Sequence, residues 1–175
     1  MLKKGYVQIY TGDGKGKTTA ALGLALRASG AGLKTIVIQF MKGQYYSELD
    51  AVKNLKGLVK IEQYGSKKFC EPGDKDYAEH YTLGREALKR VHEVLDDDEY
   101  SVIILDEIIT ALIFNLVTVY EIKDIINNKP ADRELILTGR RAPQELIDMA
   151  DLVTEMKEIK HYYQKGVDAR KGIEN

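Results

Sequence analysis

Near the start of the chain, YTGDGKGKTT (Tyr10 to Thr19) packs three glycines, two lysines and three threonines into ten residues. That mixture suits the gripping of phosphate. Glycines let successive backbone N–H groups face one concavity, and a helix opening at Lys17 aims its positive end into the same place. Lys17 can bridge phosphate oxygens, and Thr18 offers a hydroxyl to a magnesium ion. Aligned on Gly16-Lys17-Thr18, the common pattern G-x-x-x-x-G-K-[ST] meets Thr11 where its first glycine should stand, with Gly12 one place later. The candidate nucleotide-binding residues are Gly12, Asp13, Gly14, Lys15, Gly16, Lys17, Thr18 and Thr19. Lys15 has two open readings, a phosphate contact and a solvated loop lysine. A plain turn without ligand is the alternative for the whole loop, and the order strand, loop, GKTT, helix argues against it.

A second feature is acidic. VIILDE (Val102–Glu107) sets two carboxylates directly after four apolar residues. At the end of a strand in a nucleotide-binding sheet, such carboxylates hold magnesium directly or through water. Asp106 and Glu107 are therefore the candidate metal partners of Thr18. Alone, the pair would serve equally to begin a turn or cap a helix.

These residues need elements to position them. Strand-like runs are YVQIY (6–10), TIVIQF (35–40), VKIEQY (59–64), SVIILD (101–106), ELILTG (134–139) and LVTEM (152–156). Between them, helical spacing is expected from Lys17 to about Ser29, from Asp74 to Leu95, over Val117–Ile126 and over Ala142–Ala150. The loops after the strands, 11–17, 41–47, 107–110 and 139–141, carry most of the polar residues of interest. Near-continuous apolar strands alternating with helices predict an α/β fold with a mainly parallel sheet covered on both faces, the P-loop NTPase (RecA-like) architecture. Ligands of such sheets sit beyond the carboxyl ends of the strands.

Composition narrows the setting. A chain of 175 residues favours one domain, 1–175, with 157–175 as a packed tail. A formal net charge of −1 offers no global field for nucleic acid or an anionic membrane. A single cysteine, Cys70, rules out a disulfide framework and fits a reducing, cytoplasmic setting. Cys70 itself reads as a small buried residue. No apolar run is long enough to span a bilayer. His80 and His92 fall on the long amphipathic helix and are expected at its surface or boundary, while His161 lies in the segment KEIKH.

With these residues in view, the chain resembles the ATP:corrinoid adenosyltransferases of the phosphate-loop type. The resemblance is carried by YTGDGKGKTTAALGLALRASG, IQFMKG, ILDEI, LILTGRRAPQELIDMADLVTEMKEIKH and the tail GVDARKGIE. It runs over nearly the whole chain and weakens only between about residues 44 and 98. Members of that family transfer the 5′-deoxyadenosyl group of ATP to the cobalt of a reduced corrinoid. The resemblance thus implies attack at the ribose 5′ carbon, departure of the whole triphosphate, and a nucleotide held in reverse of the usual orientation. It implies Lys17, Thr18 and Glu107 as the catalytic set, Thr18 and Glu107 as Mg2+ ligands with Asp106 beside them, and Arg27 and Arg140 as further nucleotide contacts. Co(I) is so strong a nucleophile that no general base is required, and the protein supplies positioning and charge neutralisation. ATP is the co-substrate and the reduced corrinoid the substrate; a homodimer and an electron-donating reductase or flavodoxin are the implied partners.

Two departures stand out. Family members carry an aromatic F-x-W element that helps displace the lower ligand of the corrinoid. The matching stretch here is KKFCEPGD (67–74), with Phe69 at the first aromatic, Glu71 where tryptophan would be, and no tryptophan in the chain. Phe69 reads equally as a corrinoid contact and as an ordinary core residue; either Tyr45 or Tyr46 takes over the packing or the preferred corrinoid differs. Family members often have an extra helix ahead of the first strand, whereas five residues precede Tyr6 here; closure is then expected from the 44–49 loop or the tail. Two other readings stay open on residues alone: a phosphate-loop ATPase or small-molecule kinase, and a non-catalytic module binding ATP or corrinoid.

Overall fold

A computed structural model describes residues 2–68, 73 and 76–175. Six strands form one wholly parallel sheet: β1 (Val7–Thr11), β2 (Thr35–Phe40), β3 (Val59–Tyr64), β4 (Val102–Asp106), β5 (Glu134–Thr138) and β6 (Leu152–Glu155). Their order is β3-β2-β4-β5-β1-β6. The phosphate-loop strand β1 and the acidic strand β4 are thus separated by β5 alone. This is the expected α/β P-loop architecture, and all six strand predictions hold to within a residue or two.

Two apolar layers account for the sheet's burial. Ile36, Ile38, Ile103, Leu105, Leu135 and Leu137 face one layer, while Val37, Val102, Ile104 and Ile136 face the other. Period-two alternation with both faces covered is why these strands read as unbroken apolar runs. The first layer is the larger and is closed by α3 (Tyr77–Asp96), α4 (Ile108–Ile113), α5 (Val119–Asn128) and α6 (Gln144–Ile147). The second is closed by α1 (Lys17–Gly30), whose Ala21, Ala25 and Ala28 let the helix lie close on the sheet. Each fully buried isoleucine or leucine contributes about 1.5–3 kcal/mol.

Local chemistry sets the helix ends. Thr118 caps α5, its hydroxyl accepting from Glu121 N at 3.2 Å while the Glu121 carboxylate accepts from Thr118 N at 2.8 Å. This capping box moves the start of α5 two residues beyond the position that periodicity alone suggests. α2 (Glu48–Ala51) and the 3-10 turn 52–55 lie in a stretch with no predicted element. α4 corrects the expected loop 107–110, since a helix begins at Ile108. Its run IITALI is too short for periodicity to separate from the apolar strand before it. What divides the two is Glu107, at φ 62°.

His80 also needs correction. It is 2% exposed, not a surface or boundary residue. The buried stripe of α3 runs through His80, Gly84, Ala87, Leu88, Val91, Val94 and Leu95, passing through a glycine that apolar periodicity does not register. A Cβ on Gly84 would stand 3.2 Å from Leu116, so the glycine lets the first turns of α3 close on the α4–α5 connection. His92 is exposed, as expected. Phe69, Cys70 and Glu71 lie outside the described residues.

Candidate functional site

The carboxyl ends of the parallel strands open on one side of the sheet, and a cavity of about 540 Å³ lies there. Its floor is the loop between β1 and α1. Gly12 and Gly16 take φ of 100° and 119°, values that only glycine adopts without strain. Space adds a second demand at Gly12, where a Cβ would stand 2.5 Å from Met156 O. Gly14 N donates to that same carbonyl at 2.7 Å. The residue following β6 therefore backs the loop. Thr11, standing where a glycine is usual, is 6% exposed, and its hydroxyl accepts from Ala142 N at 3.0 Å. The threonine ties the start of the loop to the approach to α6.

Asp13 through Thr19 all line the cavity. The ammonium of Lys17 folds back on the loop, donating to Gly12 O at 2.7 Å and Gly14 O at 2.8 Å. Burial pushes its pKa down. A phosphate entering the concavity would offer the ammonium charged acceptors in place of these carbonyls.

Asp106 is fully buried at the end of β4. Its Oδ1 accepts from Thr18 Oγ1 at 2.8 Å and Thr138 Oγ1 at 2.7 Å; its Oδ2 accepts from Lys42 Nζ at 2.9 Å and Gln39 Nε2 at 3.2 Å. Every lone pair of the carboxylate has a partner, so its orientation is fixed. Glu107 sits one residue on and lines the cavity. Its backbone N–H donates to Thr138 Oγ1 at 2.9 Å, and its carboxylate accepts from Thr110. The left-handed backbone at Glu107 is what turns this side chain toward the loop. Such strain in a non-glycine residue is characteristic of functional positions.

Sequence reasoning missed Lys42. It lines the cavity between Asp106 and Glu48, with Nζ 3.9 Å from Glu48 Oε1. Burial alone would lower its pKa, but the charge and hydrogen bond of Asp106 carry it above the usual lysine value. The available signal was FMKG, a lysine two residues past a buried strand. Its meaning depends on β2 pairing with β4, which sets Gln39 opposite Asp106. From the far wall Arg140 lines the cavity, its guanidinium 3.4 Å from Asp13 Oδ1.

The tail supplies the remaining wall. Lys15 Nζ donates to Glu174 Oε1 at 2.7 Å and Tyr162 Oη at 3.0 Å, and Ser47 Oγ donates to Asn175 O at 3.0 Å. Hydrogen bonds from Arg170, Lys15 and Tyr162 hold the Glu174 carboxyl well below the usual carboxylate range. Glu174, Asn175 and His161 all line the cavity. The apolar side chains of the tail do not anchor it, since Ile159, Tyr163 and Ile173 are exposed.

Two candidates lie apart, and a third stands at the cavity's border. Arg27 is exposed in the last turn of α1 and does not line the cavity; helical rise puts it about 15 Å from the loop. Tyr45 is exposed and bonded to Asp50. Tyr46 lies under Lys42, whose Nζ is 5.1 Å from the ring centre, and borders both this cavity and a smaller one beside it.

Among the described residues no group of three or more His, Cys, Asp or Glu is placed to hold a metal. Thr18, Asp106 and Glu107 are hard oxygen donors, which fits Mg2+ bound mainly through phosphate oxygens and water. No helix among the described residues is long and apolar enough to cross a membrane.

The family model for ATP:corrinoid adenosyltransferase BtuR/CobO/CobP matches residues 3–175. A corrinoid adenosyltransferase from Sinorhizobium sp is 34% identical over 175 residues, covering 98% of this chain and 81% of that protein. One from Escherichia coli (strain K12) is 32% identical over 177 residues, covering 98% and 86%. Another from Salmonella typhimurium is 29% identical over 173 residues, again covering 98% and 86%.

Proposed function

The chain belongs to the ATP:corrinoid adenosyltransferase family, and on that premise we propose that it transfers the 5′-deoxyadenosyl group of ATP to the Co(I) centre of a reduced corrinoid, releasing triphosphate, in cobalamin biosynthesis or salvage. What carries the reading to this site is the convergence of Lys17, Lys42, Arg140 and the loop amides on one cavity of about 540 Å³. Such a site is built to neutralise a large polyanion as it departs.

The cobalt lone pair forms the new bond to C5′ as the C5′–O bond breaks, and the electron pair of that bond leaves on the triphosphate. No proton moves, so no general base is needed. The phosphate loop holds the leaving group, and Lys17 exchanges its loop carbonyls for phosphate oxygens. Mg2+, when bound, supplies further charge neutralisation there, with Thr18 and Glu107 as ligands and Asp106 fixing Thr18. Arg140 contacts the nucleotide from the β5 side; Arg27 is left to the exposed end of α1. Tyr46 is better placed than Tyr45 to meet a corrinoid. A homodimer, an electron-donating reductase or flavodoxin, a single functional domain over 1–175 and a cytoplasmic setting complete the reading. The exposed edge strand β6, with Leu152 44% exposed, supports a partner copy.

The test mixes purified protein anaerobically with MgATP and chemically reduced cob(I)alamin, following the visible spectrum and the polyphosphate product. The expected outcome is adenosylcobalamin with one triphosphate per corrinoid. Accumulation of ADP and phosphate with unchanged corrinoid would overturn the transferase in favour of an ATPase or kinase.

A further inference from the structure

Beside the phosphate cavity, and sharing Tyr46 with it, lies a second cavity of about 260 Å³. Met41, Tyr46 and Phe114 give it apolar walls; Gln44, Ser66 and His80 give it polar groups, and Lys67 and Lys68 border it, the latter paired with Asp76 at 2.7 Å. His80 is 2% exposed, and neither ring nitrogen has a hydrogen-bond partner among the described residues. A neutral imidazole carries one donor and one acceptor, and leaving both buried and unmade is costly. Nothing in the reaction proposed above uses this residue. Its position on the buried stripe of α3 would suit an apolar side chain equally well, so packing does not explain the imidazole.

We propose that this second cavity is a subsite for a peripheral carboxamide arm of the corrinoid, with His80 as the residue that recognises it. The inference rests on the adenosyltransferase reading. A primary amide can donate an N–H to the bare ring nitrogen of a neutral imidazole, a bond that an arm with a carbonyl alone cannot make. Cavities for whole drug-sized ligands run from about 300 to 1,000 Å³, so this one is sized for a side arm and not for a macrocycle. Its opening beside Tyr46 sets it next to the place where the corrinoid must approach the nucleotide. The Ser66 hydroxyl, which accepts from Lys68 N at 3.3 Å, retains its own proton for the amide oxygen. Amide recognition by His80 makes the site prefer an arm that carries an N–H over one that offers a carbonyl alone.

The experiment compares two reduced corrinoids, one with primary amide arms and one with the same arms as methyl esters, which keep the carbonyl but lack the N–H. KM and kcat are measured for the wild type, His80→Phe and His80→Gln. A site built to hydrogen-bond a substrate group discriminates strongly against its absence. The wild type is therefore expected to show a KM for the ester about tenfold above that for the amide. His80→Phe should bind both with equal, high KM, and His80→Gln should restore the preference. KM for ATP should stay unchanged, and the Tm of His80→Phe should not fall, since the imidazole has no hydrogen-bond partner among the described residues. If His80→Phe does not fold, His80→Leu with the same corrinoid pair gives the same comparison. An amide-to-ester ratio that is the same in wild type and variant overturns the subsite while the transferase stands. A wild type that converts neither corrinoid overturns the transferase, and the subsite with it.

Discussion

Lys42 and Asp106, at the ends of adjacent strands β2 and β4, form an ion pair of 2.9 Å in which the lysine side chain is 15% exposed and the aspartate 1%. Thr18 holds the opposite oxygen of the same carboxylate at 2.8 Å. A cation thus stands against Asp106 in the region where Thr18, Glu107 and a triphosphate would gather Mg2+. On the reading proposed above, a bound Mg2+ would compete with the lysine for the field of Asp106, so nucleotide binding should draw Lys42 from Asp106 toward phosphate.

Replacing Lys42 with methionine then has two opposed effects. ATP loses a cation and should bind more weakly, with KM raised about tenfold, the scale of a charge-assisted hydrogen bond. Divalent binding in the absence of nucleotide should strengthen, because Asp106 no longer has a fixed counter-charge. Mn2+ binding followed by electron paramagnetic resonance reads the second effect independently of turnover. Weakening of both ATP and Mn2+ would show that Lys42 only props the loop open.

Lys17→Ala tests the leaving-group role. The ammonium is the one side-chain cation of the loop held by loop carbonyls, at 2.7 and 2.8 Å. Its loss should cut kcat by about 10²- to 10³-fold, the scale of one lost group that stabilises charge in the transition state. The far-ultraviolet circular dichroism spectrum should be unchanged. Wild-type rates would remove the phosphate loop from the reaction.

Much of this was legible in the chain alone, for a physical reason. Strands buried on both faces must be apolar throughout, and a phosphate loop must carry glycine where the backbone turns left-handed, so β1 through β6 and residues 12–18 declare themselves. Lys42, His80 and Glu174 do not. Lys42 acquires its role from the strand order that lays β2 against β4, and no local pattern encodes that order. His80 sits on a stripe that passes through Gly84, which periodicity does not count as apolar. Glu174 reaches Lys15 across 159 positions of sequence. α4 was hidden because six residues, five of them apolar, beside an apolar strand have no period of their own.

Arg133 sets a stability prediction apart from the site. It is 1% exposed and donates to Val94 O at 3.1 Å, Leu95 O at 3.3 Å and Asp97 O, capping the carboxyl end of α3. It also pairs with Asp98 at 2.6 Å, but that carboxylate is 97% exposed. The carbonyls should dominate, since removing the guanidinium leaves buried acceptors unmade, whereas an exposed partner contributes little. Urea unfolding should show Arg133→Met destabilised by about 3 kcal/mol and Asp98→Ala by no more than about 0.5 kcal/mol. Equal losses would mean that the ion pair, and not the helix cap, is what Arg133 provides.

Glu174 gives the docked tail a defined response to acid. Hydrogen bonds from Arg170, Lys15 and Tyr162 stabilise its charged form, so its folded pKa lies below the ordinary 4.5. A depressed carboxyl contributes stability that is fully present above the unfolded value and is lost as pH falls through the folded one. Docking of residues 162–175 against the loop should therefore be flat from neutral pH down to 4.5 and weaken only in stronger acid. Nuclear magnetic resonance can follow the Glu174 side-chain carboxyl and the Lys15 and Tyr162 backbone amides through the same titration. Their midpoints should coincide, well below the ordinary carboxylate value. In Glu174→Gln the amide shifts should already resemble the acid form at neutral pH and show no such transition. A wild-type midpoint at or above 4.5 would mean that Lys15 and Arg170 do not hold the tail carboxylate in solution, leaving the mouth of the nucleotide cavity open before ATP arrives.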